Sequence, residues 1–288
     1  MLLFSPFSVL INDMYSLKLD NELRGFADDT KLFGCVCQQK SLAHDIALVC
    51  GWCDANGLKL NYGKCSVMHL GNHNPCHEYK LGNEPLCVKA LERDLGVWYD
   101  HQFKFRAHIE DRLVKCYKLI NLFFKLFPSE ERIQTVLYKL YVRPVLEFGL
   151  PAWSPRFAVD NERIERIQKY FTRRLCGSSK SGGPKYQERL ERLKLQKLST
   201  RRLSISLTYV YKSVVLGSIS PTVLGLSLSS VDCTRGHRYK LQRDSVNTAV
   251  RQSFFSQSVV PIWNALPEAV FNSVSLEVFK RFLKSRLE

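Results

Sequence analysis

Two adjacent carboxylates, Asp28 and Asp29, sit between an apolar lead-in at Leu23 and Phe26 and a second apolar segment from Thr30 to Gly34. Neighbouring side chains on an extended strand point to opposite faces, so a tight hairpin is the natural way to bring both acids to one exposed tip. Bare carboxylates on a rigid turn suit a hard divalent cation such as Mg²⁺, which takes oxygen ligands and usually shares them with substrate phosphates. With another carboxylate nearby, such a tip could hold two ions about 3.5–4 Å apart for in-line phosphoryl transfer. Asp is also a favoured turn residue, so the pair alone reads first as a solvated turn.

The elements that must position this pair are short. Residues 23–34 read as a β-hairpin, with Leu23 and Phe26 expected to face a core shared with Ile46 and Val49. Residues 41–55 carry Leu42, Ile46, Leu48, Val49 and Trp52 at helical spacing and stop near Asn56-Gly57, the mark of an amphipathic helix with a C-terminal breaker. Short strands are expected at Val67–Leu70, within 72–88, and from Leu95 to Tyr99. After residue 104 the period becomes helical: Ile109, Leu113, Cys116, Ile120 and Phe123 recur at threes and fours. Further helices are expected at 130–142, with Ser129 as its cap and Pro144 after it, and at 160–176, 185–193, 198–216, 251–264 and 275–287. Ser178 to Pro184 is the best linker. The fold class is α+β: an antiparallel sheet plus helices, followed by a mostly helical remainder.

At 288 residues with 45% hydrophobic content, the chain can bury a sizeable core, and wholesale disorder is excluded. Its net charge of +15 is unevenly placed. Residues 1–100 hold 9 Lys or Arg against 12 Asp or Glu, whereas residues 101–288 hold 33 against 15. A basic half of this kind attracts phosphate backbone without reading sequence. The candidate contacts are Lys169, Arg173 and Arg174 near the end of one helix, and Arg235 and Arg238 around His237. The ten cysteines are scattered and no secretory signal precedes them. That pattern fits free thiols in a reducing intracellular compartment, nucleus or cytoplasm. The apolar stretch 203–230 is broken by Gly217, Pro221 and Gly225, so no membrane span is expected.

The segment Phe26-Ala27-Asp28-Asp29-Thr30-Lys31-Leu32 resembles the polymerase box of reverse transcriptases, specifically those of non-long-terminal-repeat (LINE-type, jockey-like) retrotransposons. Other segments resemble that family in the same order. Upstream lie Leu2-Leu3-Phe4 and Leu10-Ile11-Asn12-Asp13. Downstream come Trp52-Cys53, Asn56-Gly57-Leu58, Leu60-Asn61 and Lys64-Cys65, then Asp94-Leu95-Gly96-Val97. The run from Tyr141 to Phe148 with Ala152-Trp153-Ser154-Pro155 follows, and last Thr234-Arg235-Gly236-His237 and Trp263-Asn264-Ala265-Leu266-Pro267.

The resemblance implies a partial ferredoxin-like palm over 1–104, a helical thumb over 105–177 and a helical C-terminal region over 178–288. It implies RNA-directed DNA polymerisation by two-metal nucleotidyl transfer, with Mg²⁺ held by Asp28 and Asp29 as catalytic ligands. Lys64 would approach the pyrophosphate and Gly96 would seat the primer. The partners would be an RNA template and a DNA primer or duplex, with no membrane and no small-molecule cofactor. The first catalytic Asp and the fingers of that family have no counterpart here, so the chain is expected to be a truncated and inactive carboxy-terminal part. The alternative is a non-catalytic nucleic-acid-binding or vestigial retroelement-derived protein. Cys50, Cys53, Cys65 and His69 have zinc-like spacing, but Cys53 and Cys65 fall where the family has palm-core positions, so no zinc is expected.

Overall fold

The computed structural model describes residues 5–71, 73–128, 130–177, 182–229, 236–271 and 275–287. The chain is α+β and divides into two compact units, residues 1–93 with 100–102, and residues 94–99 with 103–288.

In the first unit, helix α1 (Ser5–Asn12) precedes the hairpin of strands β1 (Glu22–Phe26) and β2 (Asp29–Phe33), and helix α2 (Gln39–Ala55) follows. The hairpin is antiparallel, with Leu23 opposite Leu32 and Phe26 opposite Asp29. Its loop is two residues long, and Ala27 stands at φ 54°, the left-handed conformation that a two-residue hairpin turn demands at its first central position. Behind the turn, Gly25 leaves the space into which the Tyr15 hydroxyl projects. Phe26 differs from its expected core position: it is 63% exposed. Being paired at the last rung beside the turn, it lies beyond the reach of the apolar face of α2.

The buried residue that fixes this arrangement is an acid. Asp45 of α2 is fully buried. Its carboxylate accepts the backbone N–H groups of Asp20 at 3.2 Å and Asn21 at 2.8 Å, and the Asn21 side-chain amide at 2.8 Å. That amide also donates to the Ser41 hydroxyl. One carboxylate thereby ties the entry of β1 to the first turns of α2, and its hydrogen bonds offset the cost of burying it.

The remaining strands are minimal: β3 (Ser66–Val67), β4 (Lys80–Leu81), β5 (Glu84–Pro85), β6 (Cys87–Val88), β7 (Leu91–Asp94) and β8 (Val97–Asp100). Among the described residues they form three two-stranded sheets separate from the β1–β2 hairpin rather than one antiparallel sheet, and β3 pairs with β6 in parallel.

The second unit is helical. Its helices are α3 (Arg106–Leu126), α4 (Glu131–Leu137), α5 (Arg143–Glu147), α6 (Leu150–Trp153), α7 (Ala158–Cys176), α8 (Tyr186–Leu193) and α9 (Leu198–Val214), then α10 (Ala249–Gln252), α11 (Phe255–Ser258), α12 (Val260–Asn264) and α13 (Leu276–Leu287). Between α4 and α5 the chain takes a π turn over Tyr138–Val142, and Pro144 opens α5. The proposed cap Ser129 lies outside the described residues.

Two apolar cores fill this unit. The first joins α3, the π turn, α5 to α8 and the start of α9, through Ile109, Cys116, Ile120, Tyr138, Trp153 and Phe171 among others. The second gathers Leu207, Val210 and Tyr211 of α9 with Trp263, Phe271 and Phe279. Helix α9 contributes to both.

A polar chain runs through the first core. The Tyr138 hydroxyl donates to Gln168 at 3.0 Å, and Gln168 donates to Tyr186 and to the Gln196 carbonyl. Tyr186 donates to Glu165 at 2.5 Å. Glu165 in turn accepts the first backbone N–H groups of α9, from Leu198 and Ser199 at 3.3 Å. Burial and the Glu165 carboxylate push the Tyr186 hydroxyl well above its ordinary pKa, so it stays a donor.

In the second core, His237 is buried against Phe271 and Trp263. Its Nε2 lies 3.1 Å from the Trp263 carbonyl, which can only accept, so that nitrogen carries the proton. Trp263 Nε1 donates to the Tyr239 carbonyl, and the Asn264 amide both accepts the Leu241 N–H and donates to the Leu241 carbonyl. The sequence segments around His237 and Trp263, 26 residues apart, are two halves of one clasp.

Replacing Asp45 with Ala should destabilise the first unit by about 1–3 kcal/mol, since three donors lose their buried acceptor. Amide hydrogen exchange is the measurement: protection should fall at Asp20, Asn21 and along β1, and Asp45→Asn should lose less. Burial holds the His237 pKa below its ordinary value. Below about pH 6.5 the unfolded chain therefore takes up a proton that the folded chain refuses. The His237 contribution is present above that pH and is lost as pH falls toward the folded value. Urea midpoints between pH 7.5 and 5 should show this loss, and His237→Gln should remove it.

Candidate functional site

The two carboxylates stand at the tip of the hairpin. Asp28 is the second residue of the hairpin turn and Asp29 opens β2. Both are exposed. The turn is set by backbone geometry rather than by the acids. Among the described residues neither carboxylate takes a side-chain hydrogen bond or ion pair. Such oxygens keep their lone pairs for solvent or a hard cation. Among the described residues, no group of three or more His, Cys, Asp or Glu side chains is arranged to hold a metal ion.

Lys64 closes a short 3₁₀ turn at Tyr62–Lys64 in the same unit and is exposed. Gly96 belongs to the other unit. It follows Leu95 in the tight turn between β7 and β8, with Leu95 at φ 44° and Gly96 at φ 84°. A side chain on Gly96 would meet the Phe148 ring at 3.3 Å. Leu95 and Phe148 are each about half exposed, so the tip carries an apolar platform. Sequence reading singled out the glycine but not Phe148, which lies 52 positions away.

The basic candidates divide. On α7, Lys169 pairs with Glu162 at 2.8 Å and lies over the Tyr186 ring. Arg174 sits 4.2 Å from the Phe124 ring centre and donates to Asn121 and Tyr170. Both have intramolecular work, whereas Arg173 is exposed. Arg238 is exposed and stacks on Tyr239. Arg235 lies outside the described residues. His237, which those two arginines flank in sequence, is buried in the second core. There its Nε2–H satisfies the Trp263 carbonyl, while Nδ1 is buried without a hydrogen-bond partner among the described residues.

Burial pushes the thiols of Cys50, Cys53 and Cys65 up from their ordinary pKa. Among the described residues no helix is long and apolar enough to cross a membrane.

Over 150 residues the chain is 24% identical to an uncharacterized protein of Caenorhabditis elegans, a match spanning 48% of this chain and 70% of that one. No protein-family model matches the chain. No solved structure matches it either.

Mn²⁺, as a paramagnetic stand-in for Mg²⁺, should broaden the amide signals of Ala27 to Thr30 selectively in an NMR titration. Asp28→Asn combined with Asp29→Asn should abolish that broadening while leaving the β1–β2 cross-strand contacts intact.

Proposed function

We propose that this chain is the palm-and-thumb part of an RNA-directed DNA polymerase of the non-long-terminal-repeat retrotransposon kind. The observation that carries the reading is the hairpin tip: two consecutive, exposed, unpaired carboxylates on a two-residue turn, within a segment resembling that family's polymerase box. In this reading residues 1–104 are palm, 105–177 thumb and 178–288 the C-terminal region.

Asp28 and Asp29 would bind Mg²⁺ jointly with the phosphates of an incoming nucleotide, since Mg²⁺ keeps most of its shell for water and substrate oxygens. The ion, when bound, lowers the cost of charge building on the reacting phosphate. The chain's own residues orient the strand. The tip at Leu95-Gly96, with Phe148 beside it, offers an apolar seat on which a terminal sugar and base can rest. Lys64 offers a mobile ammonium for the leaving pyrophosphate. The basic excess after residue 100 supplies backbone attraction.

A second reading, nucleic-acid binding without polymerisation, draws on that charge excess alone. The two separate in one experiment. Fe²⁺ in place of Mg²⁺, with ascorbate and peroxide, cuts bound strands by hydroxyl radical near the ion. With a primer annealed to an RNA template, cleavage should cluster at the primer 3′ end and vanish in Asp28→Ala. Retained binding with scattered cleavage would favour the second reading. No binding at about 50 mM salt would remove both.

A further inference from the structure

Three lysines from two helices far apart in sequence meet in one groove. Helices α9 and α13 pack side by side, and between them lies a groove of about 500 Å³ in the second unit. Lys212 lines it from the last turn of α9, and Lys280 and Lys284 from successive turns of α13. Ser204, Thr208 and Tyr209 complete the α9 wall. Among the described residues no Asp or Glu lines this groove. Arg201, also at its edge, is held by Glu147 through two hydrogen bonds at 2.6 and 2.9 Å. Among the described residues none of the three lysines forms an ion pair.

Cations in the last turn of a helix complement its dipole, and that would account for Lys212 or Lys284 taken singly. It does not account for two helices turning three ammonium groups into one concavity from which carboxylates are absent. Like charges there repel one another, and a polyanion relieves that repulsion while releasing its own counterions. Hydroxyl groups and an aromatic ring beside the lysines add backbone hydrogen bonds and a face for a base.

We infer that the α9–α13 groove binds a single strand of nucleic acid by its phosphate backbone, with a base resting against Tyr209. The inference rests on the nucleic-acid reading above and gives it a second site, separate from the carboxylate hairpin in sequence. A single strand is the form that fits. A concavity of this size takes one or two nucleotides, whereas a duplex could touch only its rim.

The test is fluorescence anisotropy with the full chain and a labelled mixed-sequence 20-nucleotide RNA, single-stranded or annealed to its complement, titrated at several salt concentrations. Removing three phosphate contacts should lower the slope of log affinity against log salt by about 2, from about 0.7 per contact on single strands. The triple variant Lys212→Gln, Lys280→Gln, Lys284→Gln should show that drop, with affinity at about 50 mM salt reduced at least tenfold. The exposed pair Lys280→Gln, Lys284→Gln should show about two-thirds of the drop, even if the half-buried Lys212 position does not tolerate change. Lys40→Gln, an exposed lysine on α2 outside the groove, serves as the charge control and should leave the slope unchanged. Wild-type binding with unchanged slopes in both lysine variants would overturn the groove while leaving nucleic-acid binding in place. A lysine effect confined to duplex would overturn the single-strand assignment. Absence of wild-type binding to either RNA would overturn the reading on which the groove depends.

Discussion

The carboxylate of Glu165 holds the helical unit together. It reaches from α7 to the first two backbone N–H groups of α9 and takes the Tyr186 hydroxyl at the same time. A helix start has donors without intrahelical partners and the positive end of the dipole, so a buried anion there is compensated twice. Helix α9 then delivers Leu198 to one apolar core and Val210 and Tyr211 to the other. The groove beside α13 lies on the face those anchors leave outward. Moving α9 by a turn would unseat two cores and dissolve the groove together.

Helical periodicity was the legible layer. The threes and fours at Ile109, Leu113, Cys116, Ile120 and Phe123 all point inward along α3, and α2, α7 and α13 fall within two or three residues of where spacing and breakers put them. The π turn at Tyr138–Val142 was not legible, because its single extra residue changes the register without changing composition. Sheet organisation was also hidden: strands of two residues carry no alternation to read, and pairings such as Ser66 with Cys87 depend on contacts 21 positions apart. Phe26 was misread because an aromatic in an alternating strand usually faces a core, whereas at the end of a short hairpin there is no core to face.

The candidate site was legible in its acids and less so in its setting. A pair of Asp residues at a turn is visible in any sequence. That Ala27 would adopt the left-handed turn conformation is not, since no glycine or asparagine announces it. Asp45 had a weak signal: an acid three residues after Leu42 and four before Val49, on the apolar face of its helix. His237 and Asn264 look like exposed polar residues in sequence and prove to be structural, because their partners are backbone groups to which sequence patterns are blind. Lys212 and Lys280 stand 68 positions apart, and only packing brings them to one groove.

The Asn264 amide does for Leu241 what a neighbouring strand would do, since it both accepts and donates to the same residue. On its other flank this segment already pairs with the chain at 227–229. A side chain thus closes the loop from 242 to 263 as a rung of a ladder would. The entropy of closing a flexible loop grows only with the logarithm of its length, about 0.6 kcal/mol for each doubling. Within that closure Phe255, Val259 and Val260 are themselves anchored in the second core. A change of length confined to residues 245–248 should therefore cost the core little, provided the amide that closes the segment is retained.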